Sequence, residues 1–379
     1  MFRLKHLFII LFLIVGIISE KISAQNIVTS APNAFLYDLT TNTILIDKNS
    51  DIPMPPASMS KLMTIYMVFE RLKSGTLNLD DKFIVSRRAW RKGGSKMFVM
   101  VNKRVTVEDL LRGIVVQSGN DACIVIAEGI SGTEEAFAEA MTRKAKEIGL
   151  KNSSFTNATG WPAEDHYMSA KDIANLSAKI IDEFPEYYKL FSEKNYTYAK
   201  IKQGNRNPLL YNGIGADGLK TGYTKSSGYG LAASVLRNGR RLLLVINGLK
   251  SSRARSSEAS RLIDWGFRDT AIYHLFKKGD LIEEADVWLG KKSKVSLTYG
   301  KDLTLTLSRK VRRSLKVKLN YKNPIPAPIQ KGDQVGYITV EAPNLNKIKI
   351  PVSVANNIEQ LGSLGRLSTA FKYLLFGGK

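Results

Sequence analysis

Pro56-Ala57-Ser58-Met59-Ser60-Lys61 sets a hydroxyl and an amine three residues apart. If this stretch opens a helix, positions i and i+3 share a face and Lys61 reaches the oxygen of Ser58, giving a nucleophile its own base. The run behind it, Leu62-Met63-Thr64-Ile65-Tyr66-Met67-Val68-Phe69, is apolar on almost every side, which predicts a helix enclosed by protein rather than one lying on a surface. Burial and the positive end of the helix dipole both penalise an ammonium, so Lys61 is expected to lose its proton more readily than a solvated lysine.

On either side of this helix the patterns are distinct. Ala34 to Asp38 and Thr43 to Asp47 read as a hairpin before it, and Pro53 to Pro56 ends the extended structure. A helical stretch follows. Thr106 caps a helix that runs to Val116 and is broken by Gln117-Ser-Gly-Asn120, a further helix resumes from Ala122, Thr133 begins another, and Ser169 caps one that runs to about Glu183. Leu219 to Tyr223, Tyr229 to Leu236 and Arg241 to Ile246 then form a meander, the last two strands joined at Asn238-Gly239. A helix from Ser256 to Phe267 closes the unit. The expected architecture is an α+β domain over residues 26–270, with a five-stranded antiparallel sheet flanked by helices and interrupted by a helical insert.

Beyond it, short alternating runs such as Asp286 to Leu289, Val295 to Thr298, Leu303 to Leu307, Leu315 to Leu319 and Gly336 to Val340 predict a small all-β domain over 277–355. The last segment, 358–379, returns to helical spacing. Leu361, Leu364, Leu367, Phe371, Leu374 and Leu375 share a face with Arg366, Ser368 and Lys372 opposite, as in an amphipathic helix lying on a membrane.

Composition limits the setting. The first 24 residues carry Arg3 and Lys5, an apolar core from Leu7 to Ile18 and Ile22-Ser23-Ala24, the layout of a cleaved secretory signal. The single cysteine, Cys123, excludes an internal disulfide framework and reads as a core thiol. His166 and His274 cannot make a paired-histidine metal motif, so neither metal nor cofactor is expected. A net charge of +22 on an exported chain favours anionic lipid or wall polymer over nucleic acid as partner.

Two further triplets complete a site. Ser118-Gly119-Asn120 falls where a helix stops, so its side chains are free to enter a cleft. Lys220-Thr221-Gly222 lies on a strand, where the missing side chain of Gly222 would let a substrate backbone approach closely. With Ser58 and Lys61, in this order and on these elements, they match the active-serine set shared by penicillin-binding proteins and class A β-lactamases.

Pro56-Ala-Ser-Met-Ser-Lys-Leu-Met-Thr64, Ser118-Gly-Asn-Asp-Ala122 and Asp217-Gly-Leu-Lys-Thr-Gly-Tyr-Thr224 closely resemble the low-molecular-mass penicillin-binding proteins, the D-alanyl-D-alanine carboxypeptidases. The resemblance extends to Arg255 in Arg-Ser-Ser-Glu-Ala and to Ile325-Pro-Ala-Pro-Ile-Gln-Lys-Gly-Asp333, with Tyr223 standing where close relatives often have histidine. It implies a serine peptidase that removes the terminal D-alanine of the peptidoglycan stem peptide through an acyl-enzyme, is inhibited by β-lactams, and works in the periplasm on the outer face of the anionic inner membrane. In that reading Ser58 is the nucleophile and Lys61 its base, Ser118 and Asn120 relay the proton, and Lys220 lowers the pKa of Lys61. The backbone N–H groups of Ser58 and Tyr223 hold the oxyanion, and Thr221 and Arg255 take the terminal carboxylate. A class A-like β-lactamase would need a deacylating carboxylate, for which Glu164 and Asp165 are the nearest candidates; a non-catalytic wall-binding scaffold would need no nucleophile paired with a base.

Overall fold

The computed structural model describes residues 27–343 and 345–376; the expected signal segment lies outside them. Five antiparallel strands run in the order Thr43–Lys48, Asn33–Asp38, Arg240–Leu249, Gly228–Arg237, Ala216–Thr224. The two central strands are buried on both faces, and their period of two divides them between two cores. Leu231, Ala233, Val235, Leu242, Leu244 and Ile246 pack with Ala259, Leu262 and Ile263 of the helix Ser252–Asp269. Ala232, Leu243 and Val245 face the helical insert instead. Asn238 and Gly239 both take positive φ, which lets the tight turn between these strands follow their twist.

Within the insert, the helix Lys61–Lys73 is enclosed along nearly its whole length, with Leu62, Met63, Ile65, Val68 and Phe69 fully buried. Each such side chain contributes about 1.5–3 kcal/mol by leaving water. The predicted caps are formed: Thr106, Thr133 and Ser169 accept from the backbone N–H groups of Asp109, Ala136 and Asp172. The final helix of this unit starts earlier than its apolar spacing suggests, because Ser251 caps it, and Arg255 therefore stands in its first turn.

No linker separates the two domains. Thr270–Phe276 follows the helix directly as a strand and pairs with Leu303–Ser308. The rest of the second domain is a six-stranded sheet. It includes Leu345–Val354, a strand whose alternation is interrupted in sequence by Pro351. The expected anchor segment also begins later than its periodicity implies: Ile358 is buried and bridges Ile329, Leu361 donates to the Leu289 carbonyl, and the helix runs Ser363–Phe376. Among the described residues no helix is long and apolar enough to cross a membrane.

The domains meet through buried polar groups. Asp38 accepts from Arg240 Nε at 2.7 Å and from Thr306 Oγ1 at 2.7 Å, while Arg240 also donates to the Thr270 carbonyl at 3.1 Å. Removing one partner of a buried ion pair strands the other, so Asp38→Ala should cost about 3 kcal/mol of stability, read by urea denaturation.

Candidate active site

Ser58 is carried on a 3₁₀ turn, Ala57–Ser60, and Lys61 is the first residue of the helix that follows. Lys61 Nζ lies 3.0 Å from Ser58 Oγ and 2.8 Å from Asn120 Oδ1, and it also meets the Thr159 carbonyl. A neutral amine has two N–H donors and one lone pair. Asn120 Oδ1 and Thr159 O are acceptors only, so they take the two N–H groups and leave the lone pair to accept the Ser58 hydroxyl proton. Burial pulls Lys61 down to about 8, with Arg206 and Lys92 pushing in the same direction. The enclosure thus produces the base the chemistry needs.

Lys220 and Ser118 form a second pair, Nζ to Oγ at 2.8 Å. The Lys220 ammonium is itself held well below its ordinary value, first by burial and then by Lys61. Ser118 has positive φ, a conformation imposed by the break between the helices Val107–Val115 and Asn120–Ser131. Asp121 fixes the opposite loop by accepting from the N–H groups of Met97, Phe98 and Val99, while Asn120 Nδ2 donates to the Gly93 carbonyl at 2.8 Å.

Gly222 has a different use from the one expected. A Cβ there would stand 2.8 Å from the Pro56 carbonyl and 3.3 Å from Ala57 Cβ, so its bare backbone makes room for the turn that carries Ser58 rather than for substrate. Gly160, with φ +76°, serves the same turn from the other side, since a Cβ there would fall 1.9 Å from the Ala57 carbonyl. The turn that carries Ser58 is thus gripped between two glycine contacts. Thr221 is buried, whereas Tyr223 is exposed and stacks on Tyr229 at 4.1 Å.

Arg255, only 9% exposed, stands over the Tyr229 ring, and its Nε has no hydrogen-bond partner. Arg206 donates to Ser95 Oγ, and burial lowers the pKa of both guanidiniums. Lys220, Arg206 and Arg255 sense one another electrostatically, yet none has an ion-pair partner among the described residues. Sequence reading missed Arg206. Its only local signal is the flanking Asn205 and Asn207, whose side chains fold the loop; Asn207 Nδ2 donates to the Gly218 carbonyl at 2.7 Å and so ties the loop to the Lys220 strand. The Thr159 carbonyl was missed too, since a backbone acceptor carries no residue signature.

Two other groups are accounted for. Cys123 is enclosed and burial pushes its thiol up to about 12, as befits a core residue. Glu164 and Asp165 are exposed, and neither is among the hydrogen-bond partners of Lys61, which are Ser58, Asn120 and the Thr159 carbonyl, so no deacylating carboxylate stands there.

A serine bonded to a buried lysine, with a second lysine–serine pair and unpaired cations at the end of an edge strand, defines an active-serine acyl-transfer enzyme. Residues 20–251 match the D-alanyl-D-alanine carboxypeptidase family and residues 272–360 the penicillin-binding protein 5 C-terminal domain. The chain is 36% identical over 340 residues to D-alanyl-D-alanine carboxypeptidase DacC of Escherichia coli, covering 88% of this chain and 85% of that protein. Its fold superposes on the crystal structure of the D-alanyl-D-alanine carboxypeptidase DacD from Francisella tularensis with a TM-score of 0.79 at 31% identity, covering 89% of this chain and 95% of that one. Penicillin-binding protein 5 from Haemophilus influenzae gives 0.72 at 35% identity, over 88% and 98% of the two chains. The chain belongs to the D-alanyl-D-alanine carboxypeptidase family of low-molecular-mass penicillin-binding proteins, and it is a serine-type D-Ala-D-Ala carboxypeptidase.

If Lys61 works as the neutral amine, the rate of acylation by penicillin should rise about tenfold per pH unit below about 8 and level off above it, measured by stopped-flow.

Proposed function

We propose that Ser58 attacks the carbonyl carbon joining the two terminal D-alanines of a peptidoglycan stem peptide while its proton passes to Lys61. The oxyanion is held by the backbone N–H groups of Ser58 and Tyr223. As the C–N bond breaks, the proton held by Lys61 returns to the leaving amine through the Ser118 hydroxyl, which Lys220 holds, while Asn120 orients Lys61, and free D-alanine departs. Water then attacks the ester, Lys61 again acts as base, and Ser58 regains its proton. The observation that carries this reading is the contact of Lys61 with Ser58 at 3.0 Å, made from a buried amine whose other acceptors are fixed. A β-lactam acylates the same oxygen, but its amine remains tethered to the adduct, so the ester persists.

The terminal carboxylate goes to Thr221 and Arg255, with Arg206 beside them; two guanidiniums with no acidic partner among the described residues favour an anion there. Gly222 contributes by seating the Ser58 turn.

Incubation with penicillin should add the mass of one drug per chain, and Ser58→Ala should abolish that adduct; an undiminished adduct would refute the assignment. Arg255→Ala should lower kcat/KM for a peptide ending in free D-Ala-D-Ala at least tenfold more than for its C-terminal amide, since only the acid offers a charge to pair.

The same proposal sets the enzyme in the periplasm, held on the outer face of the inner membrane by the helix Ser363–Phe376. Leu364, Leu367, Phe371, Leu374 and Leu375 are exposed, Leu364 by 86%, and an apolar stripe turned to solvent suits a lipid interface. Lys291, Lys292, Arg366 and Lys372 add attraction to anionic headgroups. Truncation after Gly362, which keeps the Ile358 and Leu361 contacts, should release an active protein from membranes; full-length binding should weaken with salt without vanishing.

A further inference from the structure

Arg255 stands in the first turn of the helix Ser252–Asp269, nearly buried, yet its guanidinium makes no hydrogen bond and no ion pair among the described residues. Arg206 repels it. A long side chain left to itself wanders among rotamers, and its apparent affinity for an anion falls with the fraction of time it spends away from the binding position. The one directed contact it makes among the described residues is with the face of Tyr229, the guanidinium carbon lying 5.8 Å from the ring centre.

The strands explain why that ring is there. Tyr229 lies opposite Tyr223 on the edge strand, and Leu231 lies opposite Thr221. Residues two apart share a face and cross-strand partners share it with them, so Thr221, Tyr223, Tyr229 and Leu231 all belong to one side of the sheet. Leu231 packs with Ala259 and Leu262, which makes this the side covered by the helix Ser252–Asp269. Lys220 and Gly222 take the other side, toward Ser118 and the Ser58 turn. A carboxylate set between Thr221 and Arg255 thus meets the helix side of the edge strand, where the Tyr229 ring stands. A bulge follows that residue, since Tyr229 pairs with Leu249 whereas Leu231 pairs with Ile246, and bulges re-aim the side chains beside them. Tyr223 stacks on the same ring, with centroids 4.1 Å and planes 29° apart.

We propose that Tyr229 is a positioning residue for Arg255: its ring holds the guanidinium where the terminal carboxylate is bound, and Tyr223, stacked on that ring, keeps the ring from turning. The inference rests on the reading that Arg255 takes this carboxylate, and adds what keeps it in place. Tyr223 then has two separate uses, its N–H for the oxyanion and its side chain for the stack, so substitutions there test the ring alone. A cation over an aromatic face is worth about twofold where exposed and about thirtyfold where desolvated; near the outer limit of that contact, about fivefold is expected.

The test takes the ratio of kcat/KM for a peptide ending in free D-Ala-D-Ala to that for its C-terminal amide, so that losses common to both cancel. Tyr229→Leu and Tyr229→Met, which keep bulk but remove the ring, should each lower the ratio about fivefold, and Tyr229→Phe should keep it within about twofold. Tyr223→Ala should lower it by a smaller factor and Tyr223→Phe should keep it. With Arg255→Ala already present, Tyr229→Leu should lower the ratio no further, because the ring then has no cation to hold. Saturating penicillin, adding one drug per chain at the endpoint, reports that each variant is folded around its nucleophile. Equal losses on acid and amide in both ring-less variants, a Tyr229→Phe variant as poor as they are, or a further loss in the double variant would overturn the proposal. An unchanged ratio in Tyr223→Ala would overturn the part given to Tyr223. If Arg255→Ala itself lowers acid and amide alike, the carboxylate reading fails; if Arg255→Ala is selective and the ring-less variants are not, that reading stands and the positioning role fails.

Discussion

Lys61 must be buried to be a base and must still be fully hydrogen-bonded to be buried, and much of the fold serves those two requirements. A buried amine without partners would destabilise the protein by several kcal/mol. The partners come from three distant parts of the chain: Ser58 from its own turn, Asn120 from the break between two helices, and Thr159 from the loop that also contributes Gly160. The sheet holds that turn in place through Gly222. The active site and the packing of the domain are therefore the same set of contacts seen from two sides.

Charge is distributed to match. The cleft end near Lys220 collects Arg206 and Arg255 with no ion-pair partner among the described residues, which costs stability in the resting enzyme; in the proposed function an anionic chain end offsets that cost. Asp38 and Arg240, by contrast, are a buried charge pair, and the pair also joins the catalytic domain to the strand Leu303–Ser308 through Thr306.

Sequence patterns sufficed where the determining contact is local. Caps at Thr106, Thr133 and Ser169, the Asn238-Gly239 turn and the alternation of the central strands each act within a few residues, and each is formed. That Ser58, Lys61, Ser118, Asn120 and Lys220 come together was legible because their triplets recur as a set. Arg206 and the Thr159 carbonyl were not, since their roles depend on which distant segment faces them. Gly222 shows the limit in one residue: a missing side chain is visible in sequence, but what fills the space is not. The strand Thr270–Phe276 was overlooked because it continues a helix without any punctuating glycine or proline. Ile358 was assigned to the tail by periodicity, although burial against Ile329 ties it to the sheet.

Cys123 lies within electrostatic reach of both lysines, yet no solvent touches it. With its thiol pushed up to about 12 it carries almost no thiolate, the form that attacks oxidants and disulfides. The unfolded chain has no such shelter. Its one sulfur is then an ordinary exposed thiol, and an adduct formed there could not be accommodated in the packed core behind Lys61. Redox damage to this enzyme is thus a hazard of the interval before folding, and completing the core ends it.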